Sequence, residues 1–305
     1  MTSPRSGAAR LCRGLLLGAA IVATPCVAAA GAAMDLFYER SVMSAADARC
    51  GLFDPGVATA LDAARIQARG AALRAGATED SLKAAEQRAR ARAAAVDCRS
   101  TDVATAAGRV RTAFEGYSRL TRLNYPGDMS EWRADRTISR QGPLWRLAQS
   151  VSFGWDRMII GLAGKEGQGV LLASASFADG ASPYAVRLVM RDQTRTAGPY
   201  LDRRQAGGDG RIPLPSRMPP RSATRVFSIE ARSAASERLA PAGARSALLV
   251  RFPAAAAEAL AALDPREAVM VEFVFSGRDG DAVRRAYVEV GDFAAGRAFL
   301  KAASR

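Results

Sequence analysis

The chain has 305 residues, of which 49% are hydrophobic and 24% are charged, a composition typical of globular proteins with one large or two medium domains. It contains no histidine, which excludes Ser-His-Asp and Cys-His nucleophiles, histidine-ligated zinc and imidazole acid–base catalysis. The formal charge of +13 comes almost entirely from arginine. Such a surface favours anionic partners, although arginines spread over solvated faces would give the same composition.

The first 30 residues have the pattern of a bacterial secretory signal peptide. Three arginines precede an apolar run from residue 15 to residue 23, and an A-x-A cleavage signal ends at Ala30. The alternative, an uncleaved membrane anchor, needs about 20 apolar residues, more than this run contains. We therefore predict cleavage after Ala30, a periplasmic or secreted location, and no transmembrane span in the mature chain. Its formal charge would fall from +13 to about +10.

The cysteines predict a disulfide in the mature chain. Cleavage would remove Cys12 and Cys26 and leave Cys50 and Cys98. An even pair in an oxidising compartment favours a disulfide, and the alternative is two separate buried thiols. The bridge would close a loop of nearly fifty residues. The Cys-x-x-Cys spacing of redox and metal sites is absent from the sequence, and we predict no metal or cofactor.

Residues 34–123 are predicted to form an α-helical domain. Thr78 can cap one helix and Gly76 can end the helix before it, which indicates an antiparallel hairpin that brings Cys98 close to Cys50. A later helix carries apolar residues at steps of three and four between Val103 and Leu120. The expected helices run from near 41–45 to 50, from about 57 to 75, from 79 to 97, and from 100 to 123.

The period of the apolar pattern changes to two after an irregular linker at 124–142, in which Trp132 is a candidate anchor. Residues 143–305 are predicted to form an antiparallel β-sandwich with two short helices, the last of them capped by Asp292. The predicted fold class is therefore α+β: an N-terminal antiparallel α-helical hairpin or bundle, followed by an antiparallel β-sandwich with short C-terminal helices. The expected strands are 144–153, 157–162, 170–177, 184–191, 225–232, 247–252, 269–275 and 286–290.

Two groups of arginines are candidate anion-binding residues. One lies on the last helix of the α-helical domain, and the other lies in a Pro/Arg/Gly-rich connection at 192–224 that also contains Tyr200. A connection longer than about 15 residues is either functional or mobile, so this segment is the first candidate for a recognition loop, with a loose surface excursion as the alternative. The candidates are Arg109, Arg111, Arg119, Arg122, Arg203 and Arg204, and solvated surface positions are the alternative for them.

Three short motifs resemble ligand-binding sequences without completing them. The segment 161–166 lacks the glycine spacing and the hydroxyl of a phosphate loop. The segment 277–281 lacks the bidentate glutamate of a calcium loop, so a hairpin turn is predicted there. The Trp-Asp-Arg segment 155–157 is predicted to pack in the core or at a strand edge rather than to bind a ligand.

Residues 254–302 run helix, strand, glycine-rich turn and strand, and then Gly-Asp-Phe-Ala-Ala-Gly at 291–296. This order resembles the end of the invasion-associated locus B family, small periplasmic β-sandwich proteins of alphaproteobacteria. The resemblance covers about a sixth of the chain and consists of apolar spacings rather than a fixed motif. It implies a secreted, non-enzymatic sandwich, and it transfers no functional residues to this chain.

The leading functional prediction is a non-enzymatic periplasmic protein that binds an anionic envelope component or an acidic protein. The alternative is a carboxylate-dependent enzyme acting on cell-wall glycans, which would need two carboxylates at glycosidase separation in a cleft. Nothing in the sequence brings a pair such as Glu115 and Glu131 together, so no catalytic residue is assigned. Nucleic-acid binding is not expected, because the chain is predicted to be exported.

Overall fold

The computed structural model describes residues 25–208, 211–278 and 280–302. Most of the predicted leader, residues 1–24, lies outside the described residues. Within them the chain forms six α-helices, four of which precede the strands and two of which are short and near the C-terminus. They are α1 (Pro25–Cys50), α2 (Pro55–Arg74), α3 (Glu79–Ala95), α4 (Thr101–Arg119), α5 (Ala254–Ala261) and α6 (Phe293–Lys301).

Eleven strands occur in the same described residues, and all their pairings are antiparallel. They form a seven-stranded sheet in the order β1-β2-β3-β4-β5-β9-β8 and a four-stranded sheet in the order β11-β10-β6-β7. The predicted α+β class is thus confirmed. The strands are β1 (Arg122–Pro126), β2 (Glu131–Asp135), β3 (Leu144–Phe153), β4 (Asp156–Gly164), β5 (Val170–Ser176), β6 (Ala185–Arg191), β7 (Thr224–Ser228), β8 (Ala231–Ala234), β9 (Leu248–Arg251), β10 (Ala268–Gly277) and β11 (Gly280–Glu289).

The N-terminal helices pack around α1. Phe37 of α1 is fully buried between α2 and α3, in a cluster with Leu73 and Leu82. The predicted start near residues 41–45 was wrong: α1 already begins at Pro25 in the described residues, because the alanine-rich segment before Phe37 favours helix. Among the described residues, no helix combines the length and the apolar character needed to cross a bilayer.

The predicted hairpin signals and the predicted disulfide are confirmed. The Thr78 hydroxyl accepts a hydrogen bond from the Ser81 N–H in a reciprocal cap that starts α3. The Gly76 N–H bonds to the Leu73 carbonyl where α2 ends. Cys50 and Cys98 form a disulfide with their Cα atoms 5.7 Å apart, so the alternative of two separate thiols was wrong. The bridge joins the end of α1 to the connection between α3 and α4.

Two strands lie where the sequence predicted a linker at 124–142. Strands β1 and β2 pair along their whole length, and β2 continues onto β3. The irregular linker was therefore a wrong prediction, because each strand has only five residues, so that few apolar residues mark the inward face. Tyr125 and Trp132 are two of these residues, and both are fully buried, which confirms Trp132 as an anchor.

The strand predicted at 225–232 is two strands in different sheets. Strand β7 belongs to the four-stranded sheet and β8 to the seven-stranded sheet, since the chain crosses from one layer to the other at Ile229 and Glu230. The two layers enclose one core that includes Ile160 from the larger sheet and Phe273 from the smaller one.

An ion pair joins the helices to the sandwich. The guanidinium nitrogens of Arg74 in α2 donate to both carboxylate oxygens of Asp292 at 2.7 and 2.8 Å. Burial lowers the pKa of Arg74, but the hydrogen bond and the charge of Asp292 outweigh this effect and hold the pKa above its ordinary value. Gly70 allows the approach, because a Cβ there would lie 2.4 Å from Asp292 Oδ1. Asp292 precedes α6 but makes no capping hydrogen bond, so its predicted capping role was wrong.

Candidate functional site: a groove beside the hairpin tips

A groove opens where two hairpin tips of the larger sheet meet strand β11 and a turn of the long connection. The tips are the β1–β2 turn and the β3–β4 turn, which lie at the same end of the sheet because the strands alternate in direction. The groove has a volume of about 760 Å³, within the usual range for ligand sites. We call it the hairpin groove. Its lining includes Met129, Phe153, Trp155, Leu214, Arg285 and Tyr287.

Trp155 is displayed at the rim of the hairpin groove with 92% of its surface exposed. Gly154, with a φ of 62°, turns the chain between Phe153 and Trp155, so that these two aromatic side chains point in different directions. Phe153 packs inward and stacks on Phe273 with ring centroids 5.6 Å apart, which fixes the tip. The prediction that segment 155–157 packs in the core or at a strand edge was therefore wrong for Trp155, and Met129 nearby is 48% exposed.

A buried carboxylate holds one wall of the groove in place. Glu289 is fully buried, and its side chain accepts hydrogen bonds from the backbone N–H groups of Asp128, Met129 and Ser130 at 2.7, 2.9 and 2.8 Å. These three N–H groups belong to the β1–β2 turn. A carboxylate satisfied by three backbone donors fixes the turn, and with it the position of Met129 at the groove.

Arg217 meets the same carboxylate from a second segment that lines the groove. Its side chain is 3% exposed, and its Nη1 lies 3.5 Å from Glu289 Oε1 and 3.3 Å from Asp128 Oδ2. Its Nε also donates to the Ile212 carbonyl at 2.8 Å. Because Arg217 ends the short 3-10 helix that contains Leu214, these contacts attach that helix to the sandwich. Glu289 therefore links two segments that line the groove.

Two acidic side chains near Trp155 are paired with one arginine. Arg284 Nη1 donates to Asp156 Oδ2 at 3.0 Å and to Asp179 Oδ1 at 3.1 Å. Hydrogen bonds from Arg284 lower the pKa of Asp179 to about 2, so this carboxyl group is ionised at neutral pH. The same guanidinium carbon lies 4.5 Å from the centroid of Phe275. The polar part of the groove is thus a fixed ion-pair cluster.

Three of the predicted anion-binding arginines, Arg111, Arg122 and Arg204, have local partners in the structure. None of those whose side chains are described lines the hairpin groove; the side chain of Arg203 lies outside the described residues. Their role in anion binding stays a prediction. Arg111 donates to the Leu52 carbonyl at 2.7 Å, Arg122 pairs with Asp135 at 2.8 Å, Arg204 pairs with Asp202 at 3.1 Å, and Arg109 and Arg119 are exposed on α4.

The long connection at 192–224 contributes to the site through a different part than the sequence suggested. Residues 213–215 line the hairpin groove, whereas Tyr200 and Arg204 do not belong to its lining. The sequence reasoning also missed Glu289 and Arg217, since their contacts join residues far apart in the chain. A tryptophan directly after a glycine in a predicted β-hairpin turn is the signal that could have identified Trp155.

Comparisons with known proteins identify no relative of this chain. No protein-family model matches the sequence, and neither the curated proteins nor the solved structures contain a significant match. The resemblance of residues 254–302 to the invasion-associated locus B family therefore stays a prediction. The fold and the hairpin groove define the chain as an α+β protein with a disulfide-bridged helical part and a ligand-sized groove on its sandwich.

Proposed function

We propose that this chain is a non-enzymatic extracytoplasmic protein that binds an anionic partner, either an envelope component or an acidic protein, through the hairpin groove. The observation that carries the proposal is the 92% exposure of Trp155 beside Met129, on a frame fixed by Glu289 and Arg217. Large apolar side chains exposed together at a concave site are typical of binding surfaces. A rigid frame also reduces the entropy lost when a partner binds.

The proposed location rests on the leader pattern and on the Cys50–Cys98 disulfide, since structural disulfides persist in oxidising compartments. Expression of the full chain in a bacterial host should yield an exported product that lacks the first 30 residues or so. Intact-mass analysis of the envelope fraction checks this expectation. Full-length product confined to the cytosol would contradict it.

The charged groups in the groove favour binding over catalysis. A carboxylate-dependent glycosidase needs one carboxylic acid with a raised pKa to protonate the leaving group. In the groove, Arg284 lowers the pKa of Asp179 and is also paired with Asp156. The carboxylates of the catalytic hypothesis are elsewhere: Glu131 pairs with Arg133 at 2.7 Å, and Glu115 is exposed on α4.

The attraction to an anionic partner is assigned to Arg285 and to the basic character of the whole chain. The side chain of Arg285 is 40% exposed at the groove, so it can approach a ligand without a large loss of solvation. The net positive charge adds a long-range attraction that raises the association rate and falls with ionic strength.

The binding test compares three forms of the protein immobilised on a support and exposed to solubilised envelope fractions. We expect Trp155→Ala to weaken retention of the bound species about 30-fold, the effect of losing a tryptophan hot spot worth about 2 kcal/mol. Ile138→Ala is the matched control, because Ile138 is also exposed, at 68%, but lies outside the groove lining. Retention should be quantified at low and high salt.

Two results would count against the proposal. Equal retention by the wild-type and Trp155→Ala proteins would show that the groove is not the binding site. Retention that does not fall with rising salt would show that binding does not depend on an anionic partner.

A further inference from the structure

Strand β11 is an edge strand whose outer side faces the hairpin groove. It pairs with β10 on one side, and no strand of the described chain pairs with its other side. The Val290 N–H bonds to Glu267 on the β10 side, while the Glu289 N–H and carbonyl point away from β10 towards Gln149. Since backbone groups alternate in an antiparallel ladder, those of Val283, Arg285 and Tyr287 also point outward.

The side chain of Gln149 forms hydrogen bonds with the outward-facing backbone groups of this edge at Glu289. Its side-chain oxygen accepts a hydrogen bond from the Glu289 N–H at 3.0 Å, and its side-chain nitrogen donates to the Glu289 carbonyl at 3.1 Å. These are the two bonds that a residue of a neighbouring antiparallel strand would make. At Glu289, the side-chain amide of Gln149 therefore occupies the hydrogen-bonding position that a residue of a neighbouring strand would take. From Tyr287 back towards the β10–β11 turn, no strand of the described chain pairs with this edge.

The open part of the edge runs along the groove. Arg285 and Tyr287 line the groove together with Phe153 and Trp155 on the side of the larger sheet. Leu214 also lines the groove, on the 3-10 helix whose Arg217 meets the buried carboxylate of Glu289. These residues line one groove of about 760 Å³.

A row of charges crosses the smaller sheet and ends at this edge. Arg187 on β6 lies opposite Glu272 on β10, and Glu272 lies opposite Arg285 on β11. Glu272 and Arg285 form an ion pair with an N–O distance of 3.2 Å. The sign alternates from strand to strand, and opposite charges on directly paired residues stabilise a sheet. The next member of the row, on an added strand, would be acidic.

Apolar residues flank the cation at the free edge. Val283 and Tyr287 lie two positions before and after Arg285, on the same face of β11. Val283 is 38% exposed, and Tyr287 is partly exposed. An added antiparallel strand would thus meet an apolar, a basic and an apolar residue at alternate positions.

We propose that the hairpin groove binds an extended acidic peptide of a partner protein as an antiparallel strand added to β11, with the pattern apolar-x-Glu-x-apolar. Strand addition obtains affinity from the backbone hydrogen bonds and specificity from the alternate side chains. The glutamate pairs with Arg285, and the apolar residues pack on Val283 and Tyr287. This inference rests on the proposed function, because it uses the same groove and narrows the anionic partner to one class.

The probe that tests it is the peptide acetyl-Thr-Val-Thr-Glu-Thr-Val-Thr-amide, labelled for fluorescence anisotropy with the full mature protein. The glutamate N–H would bond to the Arg285 carbonyl, so methylation of that nitrogen should weaken binding at least tenfold. Methylation of the preceding threonine nitrogen is the matched control, since that N–H points away from β11 and its loss should change binding little. A peptide with lysine in place of glutamate should also bind about tenfold more weakly.

Charge reversal in the protein completes the test. Arg285→Glu should weaken binding of the glutamate peptide about tenfold and reverse the preference in favour of the lysine peptide. Arg232→Glu on β8, the fully exposed edge strand of the other sheet, should leave both affinities unchanged. Equal effects of the two methylations, or unchanged preference in Arg285→Glu, would overturn the inference. If Trp155→Ala abolishes retention of the envelope partner but none of the peptides binds, the proposed function stands and strand addition fails.

Discussion

Glu289→Ala is expected to lower the free energy of unfolding by about 3–5 kcal/mol, the usual cost of removing one partner from a buried charged contact. The substitution leaves the backbone N–H groups of Asp128, Met129 and Ser130 without their acceptor. It also leaves the guanidinium of Arg217, 3% exposed, without one of its two carboxylate partners. Urea unfolding followed by circular dichroism measures the change.

Glu230→Ala is the matched control for this loss. Glu230 pairs with Arg251 at 3.3 Å, and both side chains are about half exposed, so the pair should contribute at most about 1 kcal/mol. A double variant that adds Arg217→Met to Glu289→Ala should lose less than the sum of the single losses, because the two residues share one network. If Glu289→Ala costs no more than Glu230→Ala, the carboxylate does not fix the frame of the groove.

Replacement of Cys50 and Cys98 by serine is expected to lower the free energy of unfolding by about 4 kcal/mol. The sequence separation of 48 residues corresponds to this loss of chain entropy in the loop-closure model. Because α2 packs against α6 and is joined to it by Arg74 and Asp292, the loss should affect the unfolding of the whole molecule. Chemical denaturation of the wild-type and double-serine proteins measures it.

A thiol reductant provides the control for the disulfide. It should destabilise the wild-type protein to the level of the double-serine variant and leave that variant unchanged. A wild-type midpoint that does not move in reductant, under conditions in which mass analysis shows the bridge to be reduced, would contradict the expected stabilisation.

The sequence predicted those parts of the fold that local chemistry determines. Thr78 and Gly76 marked the ends of two helices because capping depends on neighbouring residues. The pairing of Cys50 with Cys98 was predicted because these two cysteines lie after the expected cleavage site and because a helical hairpin was expected between them. The sequence prediction failed at 124–142, where a linker was expected and two short strands carry too few inward residues to show a period of two. It also failed at 225–232, where one strand was expected and the chain changes sheets without a proline or glycine signal.

Most of the site could not be predicted because its contacts are long-range. Glu289 contacts Arg217, which is 72 positions away in the sequence, and Gln149, which is 140 positions away. A pattern within a short window of sequence cannot predict such contacts. The arginines on α4 were visible as charges, but the sequence could not show that Arg111 bonds to a backbone carbonyl. Arg285 was hidden among 43 basic residues, and its significance comes from its place at a free strand edge.

Amide hydrogen exchange of β11 tests the central claim most directly. Exchange should be measured by NMR on the protein with and without the glutamate peptide. Strand addition predicts slower exchange at Val283, Arg285 and Tyr287, the outward amides, and little change at Arg284 and Ala286, which already face β10. Unchanged exchange at the three outward amides with saturating peptide, or slowing on β8 instead, would contradict the claim that the hairpin groove receives an added strand.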